Sequence, residues 1–537
     1  MAGCILREIR ENMSKGRKIS METALPAKKH KRTKEMTACL TESREENMTA
    51  DKSLKILHLT AQKPFATGSG TYLLNLIGAL SGKGCEQAVI YGIDAGEQLP
   101  EDAACRFSEA RLQSYPVFYL SPELPFHVLG MSDVMPYPAT RYRDLDENML
   151  QAFEAAFGQA IKTAVEAFQP DLIFCQHLFL LSALVRRLCP DRPVFAFCHE
   201  TGLIQSEINP HLFARIRDDL ARLEGIFALQ PLQQKKILSR IPIPASRCIV
   251  TGTSCNLNVF QQENSTAKRT VAKGSGDLSN GLVKEPVGKP DCTVASEKRA
   301  GNARSLNVLQ EDNAENAEAR LSCSSAELAR PCRLIYAGKL SRLKGVDLLL
   351  RACHLLDPEK FSLTLIGDSS DAEEQRLIEQ LCASLTLPLQ RLPRQDNAAL
   401  PAFYAQADLF ILPTLREGLA ISILEALACG LPCLMSDLPG APDGLLAHLL
   451  YKPEEKLPQA LRFVPFPKDV SADPEALLQP SQASEEAAAA FVQNLAESIQ
   501  DFAPACVSRE LAFPDMSPCL ASSLADRVLA ACKKVLA

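Results

Sequence analysis

The chain reads as an α/β protein made of two doubly wound, parallel-sheet domains. Two observations predict this. From Leu54 onward, short apolar runs alternate with longer helical ones, the order expected of a parallel sheet covered by helices on both faces. A polar stretch at 261–332 interrupts the alternation, which then resumes to about Leu412, so two such units follow one another.

In order, Leu54–Thr60 reads as a strand and Thr71–Lys83 as a helix closed by Gly84. Glu86–Tyr91, Leu172–Cys175, Val194–Cys198 and Cys248–Thr251 follow as strands, with helices such as Met149–Phe168 between them. In the second unit, Arg333–Ala337, Ser362–Ile366 and Leu409–Leu412 read as strands. Val346–Leu356, Glu373–Leu385 and Asn397–Ala407 read as helices. The Pro-rich stretch 441–484 gives no clear pattern, and Glu485–Gln500 and Leu520–Leu536 close the chain as helices.

The expected division is a basic tail at 1–53, a first domain at 54–260, an insertion at 261–332, a second domain at 333–500, and a helical segment at 501–537 returning to the first domain. The tail holds twelve Lys/Arg against eight Asp/Glu, and Lys28–Arg32 reads either as a localisation run or as a solvated tail. Met36 and Met48 are alternative starts. The insertion has no aromatic residue, with ten Lys/Arg against ten Asp/Glu through Arg330; it buries too little apolar surface to order itself.

With 537 residues, 46% hydrophobic and 23% charged, the composition is that of an ordinary globular protein. A net charge of −6 and the absence of Trp argue against nucleic-acid partners. The 19 cysteines are scattered and odd in number, which predicts reduced thiols in the cytoplasm. The most apolar run, Leu172–Val185, is broken by Gln176 and His177 and is shorter than the roughly 20 residues a membrane span needs, leaving only peripheral contact, at the inner face, open.

The chemistry-bearing window is Leu412–Pro432, where Glu417 and Glu425 stand eight residues apart beside one apolar helix. Eight helical residues rise about 12 Å, roughly the reach from the sugar to the ribose of a sugar nucleotide. The helix start between them offers free N–H groups to an anion. Two solvated surface glutamates are the alternative. At Tyr336–Asp347, a strand and tight turn place Lys339 and Lys344 near a second helix start, as phosphate ligands or as plain surface lysines. Thr67–Gly70 opens the first helix, where Gly68 and Gly70 let backbone approach a ligand or form a simple loop. His199 ends the strand Val194–Cys198, either facing the cleft or as a satisfied structural histidine; His177 is a weaker candidate. Arg141 and Arg143 read as surface arginines or as contacts to an acidic acceptor, and Asp144-Leu145-Asp146 as a helix-start acid pair rather than a metal motif.

Gly338-Lys339-Leu340 with Lys344-Gly345, followed by Glu417-x7-Glu425-Ala426-Leu427-Ala428-x-Gly430-x-Pro432, resembles family 4 of the retaining glycosyltransferases. The resemblance covers about 330–445 closely and 54–260 more loosely. It implies the GT-B fold, two Rossmann-like domains facing a cleft, and a metal-independent transfer with no cofactor, from a nucleotide-diphosphate sugar to a glycan, lipid-linked or small-molecule acceptor. It assigns Glu417 to donor-sugar hydroxyls and Glu425 to the ribose. It gives the diphosphate to Lys339, Lys344 and the amides of Gly418, Leu419 and Ala420, and sets His199 near the donor sugar, with Gly68 and Gly70 opposite the phosphates. The family usually carries Arg where this chain has Lys339, which keeps charge but loses the bidentate fork. The base is expected near Leu389–Asp396. A sugar-phosphate synthase or phosphorylase-like member, and a catalytically silent binding subunit, are the alternatives.

Overall fold

The computed structural model describes residues 53–65, 67–132, 135–260, 330–369, 371–418, 420–439 and 459–537. The basic tail, apart from Ser53, and the insertion, apart from 330–332, lie outside the described residues, as do Leu419, Gly440 and Asp443.

The expected fold class is the one observed: two large, wholly parallel sheets, each flanked by helices, besides a two-stranded parallel ladder of Leu129–Gly130 with Thr140–Arg141. The first has the order β3-β2-β1-β4-β5-β6-β7. Its strands are β1 (Lys55–Thr60), β2 (Glu86–Asp94), β3 (Gln113–Tyr119), β4 (Leu172–Gln176), β5 (Val194–Cys198), β6 (Gly225–Ala228) and β7 (Cys248–Val250). The second has the order β10-β9-β8-β11-β12-β13. It consists of β8 (Cys332–Ala337), β9 (Phe361–Ile366), β10 (Leu389–Leu392), β11 (Leu409–Leu412), β12 (Cys433–Ser436) and β13 (Leu461–Val464). In both, the order reverses beside the first strand, and a crevice opens at the carboxyl ends there.

The strand runs are apolar because both faces are covered: every residue of LIFCQ in β4 and VFAFC in β5 is buried. Phe174, Phe195, Phe197 and Phe227 stack and cross edge-to-face on one side of this sheet. Helix α1 (Gly68–Ser81) starts where Thr67 Oγ1 accepts the Gly70 N–H, three residues before the expected start, because the cap rather than the apolar periodicity sets the boundary. Asp146 likewise caps α3 (Glu147–Phe168) through the Met149 N–H at 2.8 Å, while Asp144 pairs with Arg141. That acid pair is a helix start. Between β2 and β3 lies α2 (Glu101–Glu109); α4 (Leu180–Leu188), α5 (Thr201–Ile208), α6 (Pro210–Ala221) and α7 (Pro231–Arg240) follow in the first domain, with a single helical turn at Leu257–Phe260.

In the second domain α8 (Val346–Cys353), α9 (Ala372–Ser384), α10 (Leu400–Gln406) and α11 (Ile421–Ala428) connect the strands. Helix α12 runs unbroken from Gln482 to Ser508 through Pro504. The expected boundary at 500/501 therefore falls inside a helix, and Arg509 and Ala512 beyond it still contact Asp408 and Ala460 of the second domain. Helix α13 (Ala521–Leu536) packs on α1 and β6 of the first domain. Lys83 pairs with Asp526 at 2.7 Å, and Arg527 donates to the carbonyls of Thr251 and Thr253. Among the described residues, no helix is long and apolar enough to cross a membrane, and the fifteen described cysteines are free thiols.

Candidate active site

A cavity of about 1290 Å³ opens where the carboxyl ends of the two sheets meet. Its first-domain wall comes from the segments after β1 (Gln62, Thr67–Ser69), β4 (His177) and β5 (His199, Thr201), together with Met131, Ser132, Met135 and Pro136. The second-domain wall comes from Gly338, Lys339 and Ser341–Lys344 after β8, Gly367–Ser369 after β9, Arg394 and Gln395 after β10, and Ser422 and Glu425 of α11.

Lys339 and Lys344 both line the cavity. Partial loss of hydration, opposed by the Glu374 carboxylate, lowers the Lys339 ammonium below its ordinary range. Lys344 sits on a 3-10 turn that Ser341 caps and Gly345 ends at φ +68°. A Cβ at Gly345 would lie 1.9 Å from the Pro413 carbonyl oxygen, so the Lys344 turn presses against the loop leaving β11. There Lys344 Nζ meets Glu417 Oε1 at 2.5 Å. Gly345→Ala is expected to cost roughly 2–4 kcal/mol, from αL strain and overpacking, and to separate that pair. A thermal melt checks it; an unchanged Tm would mean the close approach is not required.

Glu417 reaches the cavity through Lys344 and does not itself line it. Its neighbour Gly418 faces the first domain: its carbonyl accepts from Gln230 Nε2 at 2.9 Å, and a Cβ there would come within 3.1 Å of the Glu200 Cβ. Ala420, buried, accepts the first helical bond of α11 from Ile423 N at 3.0 Å and does not line the cavity. Glu425 is 8% exposed and projects from α11 into the cavity wall. Burial alone pushes its carboxyl up to about 8, so it is largely protonated at neutral pH.

Across the cavity, His199 Nε2 lies 2.8 Å from Gln176 Oε1. Its ring meets Tyr72 and His177 edge-on, at 4.9 and 5.2 Å between centroids. With the Gln176 oxygen accepting, Nε2–H donates and Nδ1 keeps its lone pair. Burial, then the neighbouring His177, holds the His199 imidazole well below the usual histidine range, and burial brings His177 down to about 4. Both are neutral at pH 7. His177 Nε2 is 3.0 Å from Ser69 Oγ. Gly68 lines the cavity, with open space where a Cβ would stand. Gly70 does not: it is buried against the Phe65 backbone, 2.9 Å from where its Cβ would be, a packing role.

The sequence therefore named residues that the fold brings to one cavity (Gly68, His199, Lys339, Lys344, Glu425) and others that stand behind it (Gly70, Glu417, Gly418, Ala420). It missed Glu200, which opens α5 at φ +63° and whose carboxylate takes Lys236 at 3.1 Å and the Gln233 amide at 2.9 Å. A glutamate directly after a cleft histidine was the available signal. Arg342, Arg394 and Thr201 were also missed; no local pattern marks them.

Residues 331–462, about a quarter of the chain, match the family model described as Glycosyl transferases group 1. A D-inositol 3-phosphate glycosyltransferase of Pseudarthrobacter chlorophenolicus is 30% identical over 112 residues, 20% of this chain and 27% of that protein. The amylovoran biosynthesis glycosyltransferase AmsK of Erwinia amylovora is 28% identical over 129 residues, 22% of this chain and 31% of that protein. The chain thus spans a third or less of either relative's length. Among solved structures, sucrose-phosphate synthase from Thermosynechococcus elongatus superposes with TM-score 0.49 at 17% identity, over 85% of this chain and 97% of that one. HepE of Anabaena, in complex with UDP and glucose, does so with TM-score 0.48 at 14% identity and the same coverage.

Proposed function

We propose that the chain is a retaining, metal-independent glycosyltransferase of the family 4 type, with the GT-B arrangement, moving a sugar from a nucleotide-diphosphate sugar to an acceptor held against the first domain. The observation that carries this reading is the charge layout of the cavity. Lys339, Arg342, Lys344 and Arg394 all stand on the second-domain wall, where a similarity to group 1 glycosyl transferases also lies. A diphosphate seated there gains negative charge on its terminal oxygen as the glycosidic bond breaks, and cations already in place lower that barrier without reorganising.

Glu425 then takes the ribose hydroxyls, and Arg394 and Gln395 border the base. His199, neutral and anchored by Gln176, offers Nδ1 to a hydroxyl of the donor sugar. The cavity's carboxylates (Asp368, Asp371, Glu373, Glu374 and Glu425) belong to the second domain, beside the phosphate cations. No described first-domain carboxylate lines the opposite wall as a nucleophile, so departure and attack on one face of the sugar is the step we assign. Free thiols throughout the described residues support work in the reducing cytoplasm.

Thermal melts of the full chain with UDP-glucose, UDP-galactose, UDP-N-acetylglucosamine and GDP-mannose test the donor class. At 100-fold excess over Kd, a true donor stabilises by about 2.7 kcal/mol. A product that keeps the donor's anomeric configuration, formed at the same rate with EDTA present, completes the expected result. A flat response to all four nucleotides, or an inverted product, would sink it.

A further inference from the structure

We infer that the acceptor is an uncharged, polyhydroxylated compound, a sugar or polyol free of phosphate and carboxylate groups, seated against the first-domain wall of the cavity; this rests on the donor assignment above.

The two walls differ in kind. Against the four cations of the second domain, the described first-domain lining residues include no Lys or Arg. The cations nearest in sequence to that wall are engaged elsewhere. Lys63 is buried, with its ammonium held between Asp94 at 3.5 Å and Glu97 at 2.5 Å and lying 4.5 Å from the centre of the Tyr137 ring. Arg141 pairs with Asp144 at 2.6 Å and Arg143 also has a partner, and neither lines the cavity. His177 and His199 carry no charge at neutral pH, held low by their burial. The N-terminus of α1 is capped by Thr67. Recognition of a phosphate or carboxylate draws on Arg or Lys, and stripping water from such an anion beside neutral groups is unfavourable.

What the wall offers instead fits a sugar. Gln62, Ser69, Ser132 and Thr201, whose side chains carry amide and hydroxyl groups, line it. The Thr201 Oγ1 is buried and has no hydrogen-bond partner, a group left for a ligand hydroxyl to satisfy. Met131, Met135 and Pro136 supply an apolar surface for the C–H face of a pyranose or cyclitol ring, and Met135 Sδ lies 3.9 Å from Gln62 Nε2. A phosphate-bearing acceptor, the substrate implied by a sugar-phosphate synthase reading, has no partner on this wall among the described residues.

Saturation-transfer NMR on the full chain, loaded with UDP or GDP, decides the matter. The probes are methyl α-D-glucopyranoside, maltose and myo-inositol against glucose 6-phosphate and glucuronate. The neutral probes are expected to give at least tenfold stronger saturation than the anions, and Thr201→Val to remove most of that signal while leaving the nucleotide's own signal intact. Ser132→Lys is expected to bring in glucose 6-phosphate. Preference for an anionic probe, silence from every neutral probe, or no response to either substitution overturns the inference. The nucleotide signal is read separately: its loss sinks the donor assignment, whereas a bound nucleotide with glucose 6-phosphate preferred sinks the acceptor inference alone.

Discussion

Lys344→Ala is expected to lower turnover by about 10²–10³-fold, the loss that follows removal of one preorganised donor to a developing anion. The geometry makes the effect large for two reasons. Lys344 is the cavity cation whose ammonium also holds Glu417, at 2.5 Å, with side chains 28% and 12% exposed. Truncation removes a positive charge from the proposed diphosphate site and leaves an uncompensated carboxylate beside it, so repulsion adds to lost attraction. Lys344→Arg retains the charge and is expected to recover part of the rate. Steady-state kinetics with the donor found by thermal shift measure both. In a double-mutant cycle, Lys344→Ala with Glu417→Gln should lose less than the two single changes together, because the pair acts as one unit. A Lys344→Ala enzyme within threefold of wild type would remove Lys344 from the machinery, and strict additivity would separate it from Glu417.

Much of the architecture was legible because parallel strands buried on both faces must be nearly all apolar. The runs Val194–Cys198 and Leu409–Leu412 have the predicted bounds for that reason. Strand β6, GIFA, opens with a glycine and spans four residues, and β13, LRFV, is a short edge strand after a Pro-rich stretch. Neither carries enough local pattern to stand out, and only their neighbours in the sheet define them. Helix α12 runs past its expected end at Gln500 and carries Pro504, a residue that ends most helices, where the flanking Phe502, Ala503 and Cys506 are buried.

For the site, the residue types were legible and their relations were not. Glu417 and Lys344 stand 73 positions apart, and their ion pair follows from the Gly345 turn pressing on the Pro413 carbonyl. Gly418 reads as an anion-binding glycine of a helix start, yet it also closes against Gln230 and Glu200 of the other domain. That contact depends on how two separate sheets dock, and no local spacing encodes it. Nor does sequence show that Glu425 is neutral. Only the burial of its carboxyl does that.

That neutrality yields the second large effect. Glu425→Gln is expected to weaken nucleotide-sugar binding by about 10–100-fold at pH 8.5, since hydrogen bonds to a charged group contribute about 1.5–3 kcal/mol. In the free chain the carboxyl is protonated below about 8, whereas two ribose hydroxyls donate best to a carboxylate. Binding therefore releases a proton, and wild-type affinity rises with pH between 6 and 8, up to tenfold per unit. Tyr404 and Cys255 lie close to this carboxyl, but burial raises both well above their usual values, so neither titrates in that window. The sign for folding is the reverse. A carboxyl whose folded pKa exceeds its unfolded one contributes stability below the unfolded value and loses it as pH rises through about 8, at roughly 1.4 kcal/mol per unit. Glu425→Gln has no proton to lose, so its Tm relative to wild type should climb from pH 6 to 8 and level off above that, while its affinity falls behind. Calorimetry in two buffers of different ionisation enthalpy reads the released proton, and melts across pH read the stability. Binding without proton release, or a variant whose relative Tm is flat across that range, would show that Glu425 does not meet the ribose as a carboxylate buried at this cost.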